Sequence, residues 1–254
     1  MALPMTRSGL LLLLILMPSL ALAQGEVAPA PDEFDPWERG NRKVFAFNEG
    51  VDRYLVRPVA RGYVAVTPSG VRQMVGNFFG NLRLPWSATN SLLQGKPRDS
   101  GRNLSRFLVN STVGLLGLFD PASKFGIHEQ QEDFGQTLAV WGVSQGPYLV
   151  LPFIGPSSVR DGFGGGVDGY LSATTYYVRT ESEYRPQILE LIDLRAQLLQ
   201  IEGFVADAYD PYIFMRDAYR QRRIHAIHDG DPPPELLEQL LMPEDDPADL
   251  LEDW

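Results

Sequence analysis

Between Val71 and Leu82 apolar residues recur with the period of one helical face: Val71, Met74, Val75, Phe78, Phe79 and Leu82 stand at i, i+3, i+4, i+7, i+8 and i+11. That spacing requires an amphipathic helix and excludes a half-buried strand, whose period is two. The opposite face reads Arg72, Gln73, Gly76, Asn77, Gly80, Asn81 and Arg83. Thr67-Pro68 opens the helix, and Pro85-Trp86 reads as a turn. A further helix then runs to Gln94, and Gly95-Lys96-Pro97 is a break.

The same periodicity recurs on either side. Asp35, Pro36 and Glu38 have the spacing of a capping box, with Asp35 as the N-cap. Val44, Phe47, Val51, Tyr54 and Leu55 follow on one face, until Pro58 ends or kinks the helix. Two more helices are expected over 185–204 and 211–228. Segments 107–119 and 146–156 are apolar, but too short or too proline-broken to cross a bilayer as helices. No strand–helix alternation is visible. The expectation is one mainly α domain over 34–228, ring-like, with interfacial amphipathic helices, irregular loops and no significant sheet.

Composition excludes several chemistries. The chain has 254 residues and no cysteine, so disulfides, thiolate metal sites and thiol catalysis are out. Three histidines give little for a metal, and no cofactor is expected. The formal net charge of -10 comes from residues 229–254, which hold ten acids and no base. The body is neutral, which gives no basic face for nucleic acid. The acidic, proline-broken segment reads as a flexible tail, with one short helix near 235–241.

The N-terminus has the layout of an export signal. Arg7 precedes the apolar run Leu10–Met17, and Ala21-Leu22-Ala23 is a small-residue cleavage site, placing the cut after Ala23. Residues 1–23 are read as the signal peptide and 24–33 as a polar linker.

Residues 53–98 carry Arg53, Arg57, Arg61, Arg72, Arg83, Lys96 and Arg98 without one acid. An apolar face opposite a basic one is what an interfacial helix needs, with arginines meeting lipid phosphates. On this reading Val71, Met74, Val75, Phe78, Phe79, Leu82 and Trp86 face the membrane. The competing expectation is a core-facing helix with a solvated basic face.

Three short motifs look catalytic out of context. Gly142-Val143-Ser144-Gln145-Gly146 matches the nucleophile elbow, and Asp168 or Asp193 with His225 would complete a triad. Gly164–Gly169 matches a dinucleotide fingerprint without the strand it needs. Asp133-Phe134-Gly135 matches a kinase tripeptide without its companions. Arg195 sits on an apolar helical face with no acid three or four residues away, so it either finds a partner elsewhere or faces a polar channel.

The segments DPWERGNRKVFAFN (35–48), RPVARGY (57–63), NFFGNL (77–82), LQGKP (93–97), RFLVNSTVGLLGLFD (106–120), EDFGQTLAVWGVSQGPYLVLPFIGPSSVRD (132–161) and DPYIFMRDAY (210–219) resemble the MlaA (VacJ) family of bacterial outer-membrane proteins. The resemblance implies a helical ring in the inner leaflet of the outer membrane. Through an amphipathic channel in that ring, phospholipids leave the outer leaflet and pass to a soluble periplasmic carrier of the MlaC kind. It also implies association with a porin trimer, maintenance of lipid asymmetry, and no enzymatic step. The alternatives are an esterase or phospholipase using Ser144 and a porin-associated structural protein. Channel or headgroup candidates are Asn41, Arg42, Phe47, Asn48, Arg195, Trp141 and Tyr148. The lipid-bearing cysteine of a lipoprotein is absent, so outer-membrane attachment at the periplasmic face is expected to rest on the body of the protein.

Overall fold

The computed structural model describes residues 34–171, 185–200, 202–206 and 208–241. The cleavage site at Ala23, the linker 24–33 and the tail beyond residue 241 lie outside these. Helices dominate, in line with the periodicity: α1 (Glu38–Val51), α2 (Arg57–Val66), α3 (Ser69–Leu93), α4 (Pro97–Thr112), α5 (Pro121–Lys124) and α6 (Phe134–Val140). A hairpin of β1 (Tyr148–Leu151) and β2 (Gly155–Ser158) follows, then α7 (Val159–Leu171), α8 (Arg185–Leu198), α9 (Glu202–Ala206), α10 (Pro211–Ile227) and α11 (Pro234–Leu241). Among the described residues no helix is long and apolar enough to cross a membrane.

Three local expectations are corrected. Asp35 is not an N-cap; α1 starts from Trp37 with no side-chain cap. The Asp35 carboxylate instead accepts from Asn41 Nδ2 at 2.8 Å and from the Tyr212 hydroxyl, a long-range use that a local motif cannot reveal. Pro58 does not end the helix. The chain widens into a π turn over Asp52–Val56, and Pro58 falls in the first turn of α2, where its missing N–H is not needed. Pro85 is no turn either: α3 runs unbroken through it for 25 residues. Packing along α4, the principal neighbour of α3, outweighs the loss of one backbone donor.

The 146–156 segment, read as a proline-broken loop, forms the antiparallel hairpin, with Tyr148 opposite Ser158 and Leu151 opposite Gly155. Asn41 and Asn48, two turns apart on α1, clamp it. Asn41 donates to Tyr148 O at 3.0 Å and accepts from Val150 N at 3.0 Å. Asn48 donates to Leu151 O at 2.9 Å and accepts from Phe153 N at 2.8 Å. Each amide thereby satisfies two strand groups that would otherwise form a bare edge. Below the hairpin, Phe34, Tyr148, Val150, Tyr212 and Tyr219 form the aromatic core.

Two of the three catalytic-looking motifs have structural roles. Asp133 caps α6 through Gln136 N at 2.8 Å and takes a two-pronged bond from Arg223, at 2.6 and 2.8 Å. Burial alone would raise its pKa, but Arg223 outweighs this and keeps Asp133 below the usual carboxylate range. Gly135 lies directly under the same guanidinium, and Gly164 of α7 lies against the Gly135 backbone. The glycine-rich run is thus the crossing point of α6 and α7, inside a helix.

Candidate functional site: a polar cavity behind an apolar exterior

Helix α4 is inside out. Its buried residues are Ser100, Asn103, Arg106 and Asn110, while Leu104 and Leu108 are exposed. Helix α3 repeats this toward its C-terminal end, burying Asn81, Ser87, Asn90 and Ser91 and exposing Leu92 and Leu93. In water the reverse arrangement is favoured, because apolar surface left outside forfeits about 25 cal/mol per Å².

The buried polar groups are matched to one another. Asn103 donates to Gln130 O at 2.7 Å and accepts from Gln130 N at 3.1 Å. Ser87 Oγ donates to Gln130 O at 2.7 Å and accepts from Glu132 N at 2.8 Å. Asp120 takes Arg106 Nη2 and Asn110 Nδ2, both at 3.0 Å. Asn77 and Asn81 reach across to the 111–118 segment, bonding Leu118 O at 3.2 Å and Ser111 Oγ at 3.0 Å.

Between α3, α4 and α8 lies a cavity of about 570 Å³. All seven residues of the polar face of α3 line it: Arg72, Gln73, Gly76, Asn77, Gly80, Asn81 and Arg83. Arg106 and Asn110 come from α4, and Asp193 and Gln197 from α8. A side chain added at Gly80 would meet nothing within 4 Å, so this glycine leaves open floor. Asn81 Oδ1 and Arg106 Nε are buried without a partner, and both residues line the cavity.

None of the expected channel residues lines this cavity. Asn41 and Asn48 clamp the hairpin, and Phe47 stacks edge-on against Phe153 with centroids 5.3 Å apart. Arg42 pairs with Glu38 at 2.6 Å and Asp210 at 2.8 Å, and lies over the Tyr212 ring. Tyr148 is fully buried in the core. The Trp141 indole donates to Leu93 O at 3.0 Å. Arg195 finds its partner in Asp52, with a two-pronged bond at 2.6 and 2.9 Å. Burial would raise the Asp52 pKa, but Arg195 and Arg57 hold it below its usual value.

The stripe on α3 divides. Val71 is exposed, Met74, Val75, Phe78 and Leu82 are half-buried, and Phe79 is core at 4% exposure. Phe79 therefore does not face lipid. Trp86 is half-buried with its indole N–H fixed on Asp168 at 2.6 Å. The basic stretch is also less free than it looks. Arg53, Arg57, Arg61, Arg83 and Lys96 all reach carboxylates, on Glu49, Glu202, Glu190 and Glu132, that lie outside residues 53–98.

The exposed apolar groups lie elsewhere. The stripe of α1 starts on the aromatic core at Val44 and points outward by the π turn, with Tyr54 81% and Leu55 62% exposed. The hairpin tip presents Phe153 and Ile154 at 72% and 78%. After α4, Leu115 and Leu116 are 60% and 70% exposed, both at positive φ, 52° and 61°. A left-handed leucine costs about 1–2 kcal/mol. Two in succession are tolerated because the turn is tied to α3 and presents both side chains outward.

Ser144 is exposed in the turn after α6. Its hypothetical partners are engaged elsewhere: Asp168 with Trp86 and Phe134 N, Asp193 with Tyr63 and Gln197, and His225 with Gln221 O.

The family model described as MlaA lipoprotein matches residues 33–226. The intermembrane phospholipid transport system lipoprotein MlaA of Escherichia coli is 37% identical over 205 residues, covering 79% of this chain and 81% of that one. Its Haemophilus influenzae namesake is 32% identical over 200 residues, covering 77% and 80%. A solved structure from work on the structural basis for maintenance of bacterial outer membrane lipid asymmetry superposes with a TM-score of 0.67 at 34% identity. The match covers 78% of this chain and 99% of that chain. The chain belongs to the MlaA lipoprotein family.

Proposed function

We propose that this protein is the outer-membrane component of an intermembrane phospholipid transport system, in which phospholipids leave the outer leaflet through the polar cavity between α3, α4 and α8. The observation that carries the reading is the inside-out construction of α3 and α4, with apolar residues outside and a hydrogen-bonded polar interior around a cavity. Moving a phospholipid across apolar surroundings is opposed mainly by its headgroup, because burying an unpaired charge costs several kcal/mol. A polar cavity offers the headgroup a hydrated path while the tails stay in lipid. No bond is broken, so the protein works without a catalytic serine; the scattered engagements of Asp168, Asp193 and His225 support that.

The same reading places the 34–228 body at the periplasmic face after removal of residues 1–23, with a soluble carrier receiving the lipid and a porin trimer as neighbour. Tyr54, Leu55, Leu115, Leu116, Phe153 and Ile154 supply the hold on the bilayer. The double variant Leu115→Asp, Leu116→Asp tests this. Aspartate is tolerated in the left-handed region, so the fold should persist by circular dichroism. Each leucine withdrawn from lipid removes about 1.5–3 kcal/mol of partitioning, so binding to phosphatidylethanolamine/phosphatidylglycerol vesicles should fall by more than tenfold in a flotation assay. Unchanged flotation would show that these leucines do not seat the protein. The transport reading itself is tested by extracting the protein in mild detergent: it should carry phospholipid, and protein from membranes that is free of phospholipid would contradict it.

A further inference from the structure

The charges inside the cavity are unequally matched. Asp193 is 97% buried, being 3% exposed, yet its carboxylate meets only neutral donors: the Tyr63 hydroxyl at 3.0 Å and Gln197 Nε2 at 2.9 Å. A buried carboxylate without a cation is costly. On the same wall, Arg72 is the reverse case. It bonds only the carbonyls Val64 O at 3.2 Å and Thr67 O at 2.5 Å, both through Nη1, and meets no carboxylate. Its neighbours in sequence, by contrast, are paired with acids. Arg72 and Asp193 share Tyr63 as a common neighbour: burial, then the bond to Asp193, push its hydroxyl up to about 12, and Arg72 works against this.

Their spacing is set by α3. A Cβ at Gly76 would stand 3.4 Å from Asp193 Oδ2, so Asp193 lies over Gly76. Gly76 is one turn from Arg72, about 6 Å along the helix axis. The cavity wall thus carries a guanidinium without a carboxylate partner and, over the residue one turn further along α3, a carboxylate without a cation, with the unpartnered Asn81 Oδ1 as a further acceptor. A phosphate joined by a two-carbon bridge to an ammonium group carries the complementary pair of charges. A glycerol headgroup has the phosphate alone.

We propose that the cavity selects zwitterionic, ammonium-bearing phospholipid headgroups, with Arg72 taking the phosphate and Asp193 the ammonium. This rests on the transport reading above. Charge-assisted hydrogen bonds of this kind are roughly twice as strong as neutral ones, so a preference of about tenfold is expected.

The protein is incubated with vesicles of equimolar phosphatidylethanolamine and phosphatidylglycerol and recovered in mild detergent, and its bound lipid is quantified by mass spectrometry. The parent should be enriched in phosphatidylethanolamine about tenfold. Asp193→Asn keeps an oxygen acceptor for Tyr63, and Gln197 can turn its amide so that its oxygen accepts from the new NH2, so the variant should fold normally and bind both lipids equally. Arg72→Gln should lose both lipids together while the ratio of what remains is kept. A parent ratio equal to that of the vesicles, an unchanged ratio in Asp193→Asn, or undiminished binding in Arg72→Gln overturns the assignment. A parent that recovers no lipid of either kind contradicts the transport reading itself.

Discussion

Gly164→Ala is expected to destabilise the protein by about 3 kcal/mol, in the upper range for overpacking a tight contact. A methyl group at this position would stand 2.5 Å from Gly135 N and 2.7 Å from Gly135 Cα. Neither atom can turn aside, since both belong to the backbone of α6. Moving α6 away would displace Asp133, which begins that helix, from Arg223. The same guanidinium also serves Asp161, at 2.9 Å through Nη2. Strain at one glycine would therefore reach a buried ionic cluster, where a broken pair costs more than the pair contributed. Thermal unfolding followed by circular dichroism in detergent measures the effect. Gly165→Ala is the control: its Cβ would meet nothing within 4 Å, so a small gain in helix stability is expected. Equal behaviour of the two variants would refute the close crossing.

Phe79→Asp is expected to abolish cooperative folding. Losing a buried phenylalanine costs about 3–5 kcal/mol, and an unpaired buried carboxylate adds several more. The sum approaches the whole stability of an ordinary domain, about 5–15 kcal/mol. Phe78→Asp, one position earlier but half-buried, should remain folded. The double leucine variant of the 115–116 turn should remain folded as well and lose its membrane binding. A folded Phe79→Asp would place this residue on the lipid side after all.

Phe79 also marks where sequence reading stopped. The period over 71–82 fixes a helix and its two faces, but not what each face meets. In a soluble protein the apolar face turns inward. Here α3 turns its polar face, Arg72 to Arg83, toward the cavity, so the residues that looked like a solvated back are the lining. Asn77 and Asn81, directly after Gly76 and Gly80, were the available signal, because small and amide residues suit an interior polar wall better than an open surface. The channel candidates on α1 lie away from this cavity for a different reason. Asn41 and Asn48 are spent on a hairpin more than 100 residues away, and Arg195 on Asp52 at a sequence separation of 143. Such partners leave no local pattern. The arginines without nearby acids were likewise answered from Glu190 and Glu202. Legible from the outset were the helical class, the breaks at Thr67-Pro68 and Gly95-Lys96-Pro97, and the start of the helix at Pro211.

The proposed passage of headgroups over Gly80 is open to direct measurement. A Cβ at Gly80 would meet nothing within 4 Å, so Gly80→Phe starts its side chain in open cavity space. The rate at which labelled phospholipid leaves vesicles carrying the reconstituted protein should fall at least about tenfold, equivalent to about 1.4 kcal/mol on the barrier. The melting transition and vesicle binding should stay as in the parent. Parental flux through a folded, membrane-bound Gly80→Phe protein would show that lipid does not cross between α3, α4 and α8.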